Sequence, residues 1–179
     1  MLDRMATETK DIQLTPTSYI VLGLLSNAGE ATPYALKQMA AATVGQFWTL
    51  SHSQVYAEPE RLASAGYLNE KREQTGRRRK RYSLTARGLA AFEAWLKEPA
   101  TGLYELRDPG LLQLAAGADP ALLAAVQLES HKHRLAELEQ VLAMIEATGV
   151  PEGYKLVCES GIGHEREYVR FWSRLAKRR

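Results

Sequence analysis

A chain of 179 residues, 45% hydrophobic and 25% charged, can hold one ordinary domain or two small ones and build a packed core, which excludes disorder as its default state. A formal charge of +2 does not by itself select nucleic acid as a partner, and one cysteine, Cys158, excludes an internal disulfide and fits a reducing compartment, with the cytoplasm as the expectation. No CxxC or Cys/His cluster offers a metal site, Met1 to Gln13 lacks the apolar core of a signal peptide, and no later segment supplies the roughly twenty apolar residues of a membrane span.

Residues 1–14 read as a flexible arm. Thr15-Pro16 is a helix cap followed by proline at the first helical position, and Tyr19, Ile20, Val21, Leu22, Leu24 and Leu25 then predict a largely buried helix ending at Asn27 to Gly29. Thr32-Pro33 repeats the start signal, with Tyr34, Leu36, Met39 and Ala40 on one face of a short second helix. Ser51 or Ser53 opens a third, in which Val55, Tyr56, Leu62 and Ala63 recur at near-helical spacing before Gly66, a left-handed stop.

The period then changes. Tyr67 to Glu73 and Arg77 to Leu84 alternate as two strands joined by Gln74-Thr75-Gly76. Seven basic against two acidic residues between Glu70 and Arg81 make this hairpin strongly positive, while the rest of the chain is net acidic. Thr85 caps a fourth helix carrying Leu89, Phe92, Trp95 and Leu96, stopped by Pro99. The expected fold is mainly α: a winged helix-turn-helix with a two-stranded wing over 15–98, a linker or short helix over 99–118, and a C-terminal helical region over 119–179. In that last region Asp119-Pro120 opens a long helix whose Leu128, Leu135 and Leu142 recur every seven residues, with His131, Leu138 and Ile145 three places after each. A final helix from about Glu152 aligns Tyr154, Val157, Cys158, Gly161, Tyr168, Trp172 and Leu175, with Gly161 and Gly163 allowing close approach. Neither helix has enough private core to stand alone. An antiparallel, coiled-coil-like pairing is expected, extended to a second subunit through Leu128, Leu135, Leu138, Leu142, Tyr168 and Trp172.

A recognition helix needs an apolar inner face and a small, polar N-terminal outer face that reaches base edges in the major groove. Ser51, His52, Ser53 and Gln54 meet that demand, and Arg61 lies further along, where a phosphate contact is expected. The basic wing residues Arg77, Arg78, Arg79 and Lys80, with Thr75 and Gly76 at the turn, supply the flanking half of the footprint. Three short helices, a basic hairpin and a capped fourth helix in this order point together to double-stranded DNA.

The blocks Ser18-Tyr-Ile-Val-Leu-Gly-Leu-Leu, Tyr34-Ala-Leu, Ser51-His-Ser-Gln-Val-Tyr56, Leu62, Ala65-Gly-Tyr-Leu and Arg81-Tyr-Ser-Leu-Thr85 resemble the PadR family of transcriptional regulators over about residues 15–98. The C-terminal part is similar to the virulence-activator-type members, through Gly161-Ile-Gly-His-Glu and Trp172. The resemblance implies homodimers that bind inverted-repeat operators, mostly as repressors, and are released by a small ligand, here a small aromatic effector. It places Tyr56 on the recognition helix, Tyr34 on the preceding helix, with Lys37 one turn on, and Thr75 to Lys80 in the wing. Pro59 departs from the family pattern, in which leucine is common, and predicts a kink or register shift.

Other residues carry weaker suggestions. His131 on the seam suggests a pH switch or a tolerated polar residue, and His164-Glu165 a site for which no ligand partner stands at metal spacing. Trp48, Trp95 and Trp172 suggest either an aromatic pocket or packing, and Cys158 reads as an inert packed thiol. No catalytic residue, metal or cofactor is expected. The competing class is a winged helix used for protein contact with an oligomerisation arm; an enzyme is the weakest alternative because no activated pair is visible.

Overall fold

The structure is a computed structural model that describes residues 11–74, 78–148 and 150–177. Of the arm expected over 1–14, residues 1–10 lie outside the described residues, as do the wing-tip residues Thr75, Gly76 and Arg77; within 11–14, Ile12 and Leu14 pack against the core and Asp11 pairs with Arg87. The chain divides into two compact units, one ending at Gly102 and one beginning at Leu103.

In the first unit, α1 (Pro16–Ala28) starts at Thr15, which forms a capping box with Ser18, and α2 (Pro33–Ala42) starts at Thr32, whose hydroxyl accepts from the Ala35 amide. A single 3₁₀ turn, Val44–Gln46, precedes α3 (His52–Ser64), and Thr85 caps α4 (Ala86–Leu96). Each cap satisfies backbone donors that the first helical turn leaves open, worth about 1 kcal/mol apiece. Leu22 and Leu25 of α1, Leu36 of α2, Leu62 of α3 and Tyr82 are enclosed in one core. Each buried leucine removes enough apolar surface to contribute about 1.5–3 kcal/mol.

The wing strands are β2 (Leu68–Arg72) and β3 (Lys80–Leu84), antiparallel with Glu70 opposite Tyr82, both shorter than the alternation suggests. A third strand escapes the sequence pattern. The two residues Glu30–Ala31, called β1, pair with Ser83 and Tyr82, so β3 is central in the order β1-β3-β2. The segment between α1 and α2 is thereby hydrogen-bonded to the root of the wing.

The second unit contains α5 (Pro109–Ala115), α6 (Pro120–Thr148) and α7 (Glu152–Leu175). Helices α6 and α7 form an antiparallel hairpin with Arg166–Glu139 and Lys155–Glu146 ion pairs along its side, each at 2.9 Å. The seam meets α7 of the same chain. Leu138 packs with Cys158 and Ile162, and Leu135, Leu142 and Ile145 lie against that cluster. Leu128 and Tyr168 lie against Trp172, which is 0% exposed and shares a core with Ala124 and Leu175. The heptad leucines therefore meet α7 of their own chain, and Leu138 and Trp172 retain almost no surface for a mate. A seven-residue repeat specifies that a helix face wants a partner helix, not which chain provides it. Gly161 sits close under that packing, where a Cβ would stand 3.3 Å from Leu138 Cδ1, whereas Gly163 has nothing within 4 Å and makes no close approach.

Candidate nucleic-acid interface

Helix α3 turns Val55 and Leu62 inward, so the residues of its opening turn, Ser51 to Gln54, all face solvent. They are also mutually ordered. The Ser51 hydroxyl accepts from the Gln54 amide at 3.2 Å while Gln54 Oε1 accepts from the Ser51 amide at 2.9 Å. Ser51 and Ser53 hydroxyls are 3.0 Å apart, and the His52 ring stacks on Tyr56 at 4.5 Å. Gln54 therefore has its amide N–H groups outward and its oxygen tied to the cap, which leaves it a donor toward base acceptors such as purine N7.

The middle of α3 is fastened to α1 by a buried polar cluster that the sequence did not reveal. Glu58, 9% exposed, accepts from the Ser18 hydroxyl at 2.6 Å and from two nitrogens of Arg61 at 2.6 and 2.9 Å. Arg61 also donates to Ser18 Oγ at 2.9 Å and to the Gln13 carbonyl at 3.2 Å. Burial alone would raise the Glu58 carboxyl, but the hydrogen bonds from Arg61 and Ser18 and the charge of Arg61 outweigh it and hold the group below its usual range. This placement revises the reading of Arg61: its guanidinium is committed inward, because an intramolecular carboxylate at hydrogen-bond distance outcompetes a role at the surface. Pro59 lies within α3. The helix runs through it unbroken and its ring is buried, so the missing amide at this position does not end the helix.

The wing is less positive than its composition suggests. Arg72 pairs with Glu70 at 3.0 Å, Arg81 pairs with Glu30, and Lys80 pairs with Glu60 of α3 and lies 3.4 Å from Glu70. Tyr82, buried beneath, donates to Glu70 at 3.1 Å, and burial followed by that carboxylate drives its phenol pKa well above normal. Lys71, Arg78 and Arg79 show no ion pair among the described residues. The Glu73 amide donates to the Arg79 carbonyl at 3.1 Å, and Arg78 adopts φ 47°, a left-handed backbone that non-glycine residues rarely take.

Between wing and helices lies a groove of about 810 Å³ whose lining includes Tyr34, Ser53, Tyr56, Glu60, Arg79 and Lys80. Three elements named from the sequence, α2, α3 and the wing, thus meet at one concavity. Lys37 is exposed on α2 but does not line it. The tryptophans do not act together: Trp95 stacks on Tyr19 at 4.6 Å, Trp172 is a core residue of the second unit, and Trp48 is half exposed. His131 Nδ1 sits 2.6 Å from Glu165, and His164 packs on Tyr168. Cys158 is buried, its thiol pKa raised by burial and by the charge of Glu159, and it donates to the Leu138 carbonyl at 3.4 Å. Among the described residues there is no group of His, Cys, Asp or Glu suited to a metal, and no helix is long and apolar enough to cross a membrane.

Residues 21–94 match the family described as "Transcriptional regulator PadR-like family". Over 165 residues the chain is 26% identical to the "Negative transcriptional regulator PadR" of Bacillus subtilis, covering 84% of this chain and 90% of that protein. The crystal structure of Bacillus subtilis PadR in complex with operator DNA superposes with a TM-score of 0.79 at 26% identity, over 92% of this chain and 99% of that one. Residues 21–94 are thus similar to the DNA-proximal part of PadR-like transcriptional regulators. The same Bacillus protein in complex with p-coumaric acid aligns with a TM-score of 0.73 at 25% identity, over 92% of this chain and 97% of that one. The fold is also that of the Vibrio cholerae virulence activator AphA, with a TM-score of 0.67 at 23% identity over 89% and 95% of the two chains. The proteins this chain matches are transcriptional regulators rather than enzymes.

Proposed function

We propose that the protein is a cytoplasmic homodimeric repressor that binds an inverted-repeat operator and is released by a small aromatic ligand. The observation carrying the DNA-contact assignment is the groove that Ser53 and Tyr56 of α3 and Tyr34 of α2 share with Arg79 and Lys80 of the wing; Ser51, His52 and Gln54 are exposed on the same turn of α3 but do not line it. Ser51, His52, Ser53 and Gln54 read base edges, Tyr56 and Tyr34 flank the backbone with Lys37, and Arg78 and Arg79 bind phosphates beside the helix. Repression and ligand release draw support from the negative regulator of Bacillus subtilis and its complex with p-coumaric acid. Because the heptad seam is used within the chain, the second subunit is joined through other surfaces of the C-terminal unit, where Leu122 and Val126 of α6 and Leu156 of α7 are exposed.

The test is a footprint on the intergenic DNA beside the protein's own coding sequence, with a gel-shift salt titration of the wild type and an Arg78→Ala/Arg79→Ala variant. Loss of two phosphate contacts lowers affinity for every sequence and flattens the salt slope by about 0.9 for each contact. An unchanged slope removes the wing from the interface, and a monomer at footprinting concentration removes the paired half-sites.

A further inference from the structure

We infer that Glu60 lowers the sequence-independent affinity of the DNA-facing groove by restraining Lys80 and repelling phosphate, so that DNA is held weakly wherever base contacts do not add to the binding. This deepens the DNA-contact reading above and rests on it. Glu60 lies one turn beyond Tyr56 on α3, half exposed, with its carboxylate on the wall of the groove. An acidic side chain facing a surface that receives a polyanion opposes binding unless something offsets it.

What offsets it is Lys80. Its ammonium pairs with Glu60 and lies 3.4 Å from Glu70, and Glu70 also holds Arg72 at 3.0 Å. Glu60, Glu70, Lys80 and Arg72 together sum to zero charge, so this side of the wing presents no net attraction to a phosphate. The uncompensated cations among the described wing residues are Lys71, Arg78 and Arg79. Sequence-independent binding comes almost entirely from neutralised phosphates and released counterions, whereas cognate binding adds base recognition. Cancelling one cation inside the footprint therefore lowers affinity for every sequence, and for non-cognate DNA, which has no base contacts to make up the loss, it removes a large share of the total binding free energy.

The experiment uses the full chain and a fluorescent duplex of about 30 base pairs of scrambled sequence, read by anisotropy between about 50 and 200 mM salt. Wild type, Glu60→Gln, Lys80→Gln and the double variant are compared. Glu60→Gln is expected to tighten binding about three- to tenfold and to steepen the salt slope by about 0.9, the increment for one further neutralised phosphate. Lys80→Gln alone changes the slope by less than half as much, and the double variant returns it to the wild-type value. Weaker binding by Glu60→Gln overturns the inference, since Glu60 would then be orienting Lys80 toward DNA; an unchanged slope overturns it as well. Wild-type protein that fails to bind the duplex at the lowest salt overturns the DNA-contact reading itself, an outcome distinct from either.

Discussion

Replacing Glu58 by Ala removes the acceptor of three hydrogen bonds and leaves Arg61 beside α1 without its carboxylate. Breaking a buried ion pair from one side costs about 3–5 kcal/mol when the survivor is fully enclosed. Arg61 is not: its side chain is 36% exposed, so water recovers part of its solvation, and Ser18 keeps its contact with Thr15. The expected loss is therefore about 2 kcal/mol, discounted for that exposure. Native-state hydrogen exchange on the full chain reads this directly: amides of α1 and α3 should lose protection by about thirtyfold, while α7, in the other unit, serves as the unchanged control. The pair Glu58→Met and Arg61→Leu should restore most of the loss, because no lone charge remains. Undiminished protection of α3 in the single variant, or a double variant worse than it, would refute the argument that this cluster fastens the recognition helix.

The same carboxyl sets an acid limit. Its pKa is depressed in the folded state, so its contribution is full above the unfolded value of about 4.3 and is lost as the pH falls through the folded one; urea midpoints that do not decline over that window in the wild type more than in Glu58→Met/Arg61→Leu would contradict it. Gly88→Ala should destabilise by about 1–3 kcal/mol although alanine favours a helix by about 1, since its Cβ would fall 2.1 Å from the Tyr67 carbonyl oxygen; a raised melting temperature would show that α4 can lift away without cost. Gln54→Glu keeps an acceptor for the Ser51 amide but loses the outward donor, so stability should hold while the ratio of cognate to scrambled affinity falls by about 1–3 kcal/mol; an unchanged ratio would confine Gln54 to capping.

Helix starts were readable because a cap is a local event. Thr15-Pro16, Thr32-Pro33, Ser51 and Thr85 each satisfy donors within three residues, and no distant contact is needed to foresee it. Asp108-Pro109 carries the same signal, yet it reads as linker because Gly110 follows and only seven residues turn helical. Strand β1 has two residues and no alternation of its own, so its existence depends on β3 lying alongside. The inward turn of Arg61 and the pairing of Lys80 with Glu60 depend on which helices and strands cross, 43 and 20 residues apart in sequence for Ser18 and Glu60 respectively. Charge counting along the chain consequently overstated the wing, since two of its cations, Lys80 and Arg81, face carboxylates that only the fold brings near.

The two-residue strand between α1 and α2 also bears on how such a regulator acquires a new target. Main-chain hydrogen bonds, indifferent to side-chain identity, join the lead-in of α2 to the wing's central strand. Under the DNA-contact reading proposed above, substitutions at Arg79 or Tyr34 redraw the reading surface while the spacing of its parts stays put, and divergence toward another promoter requires no rebuilding of the scaffold.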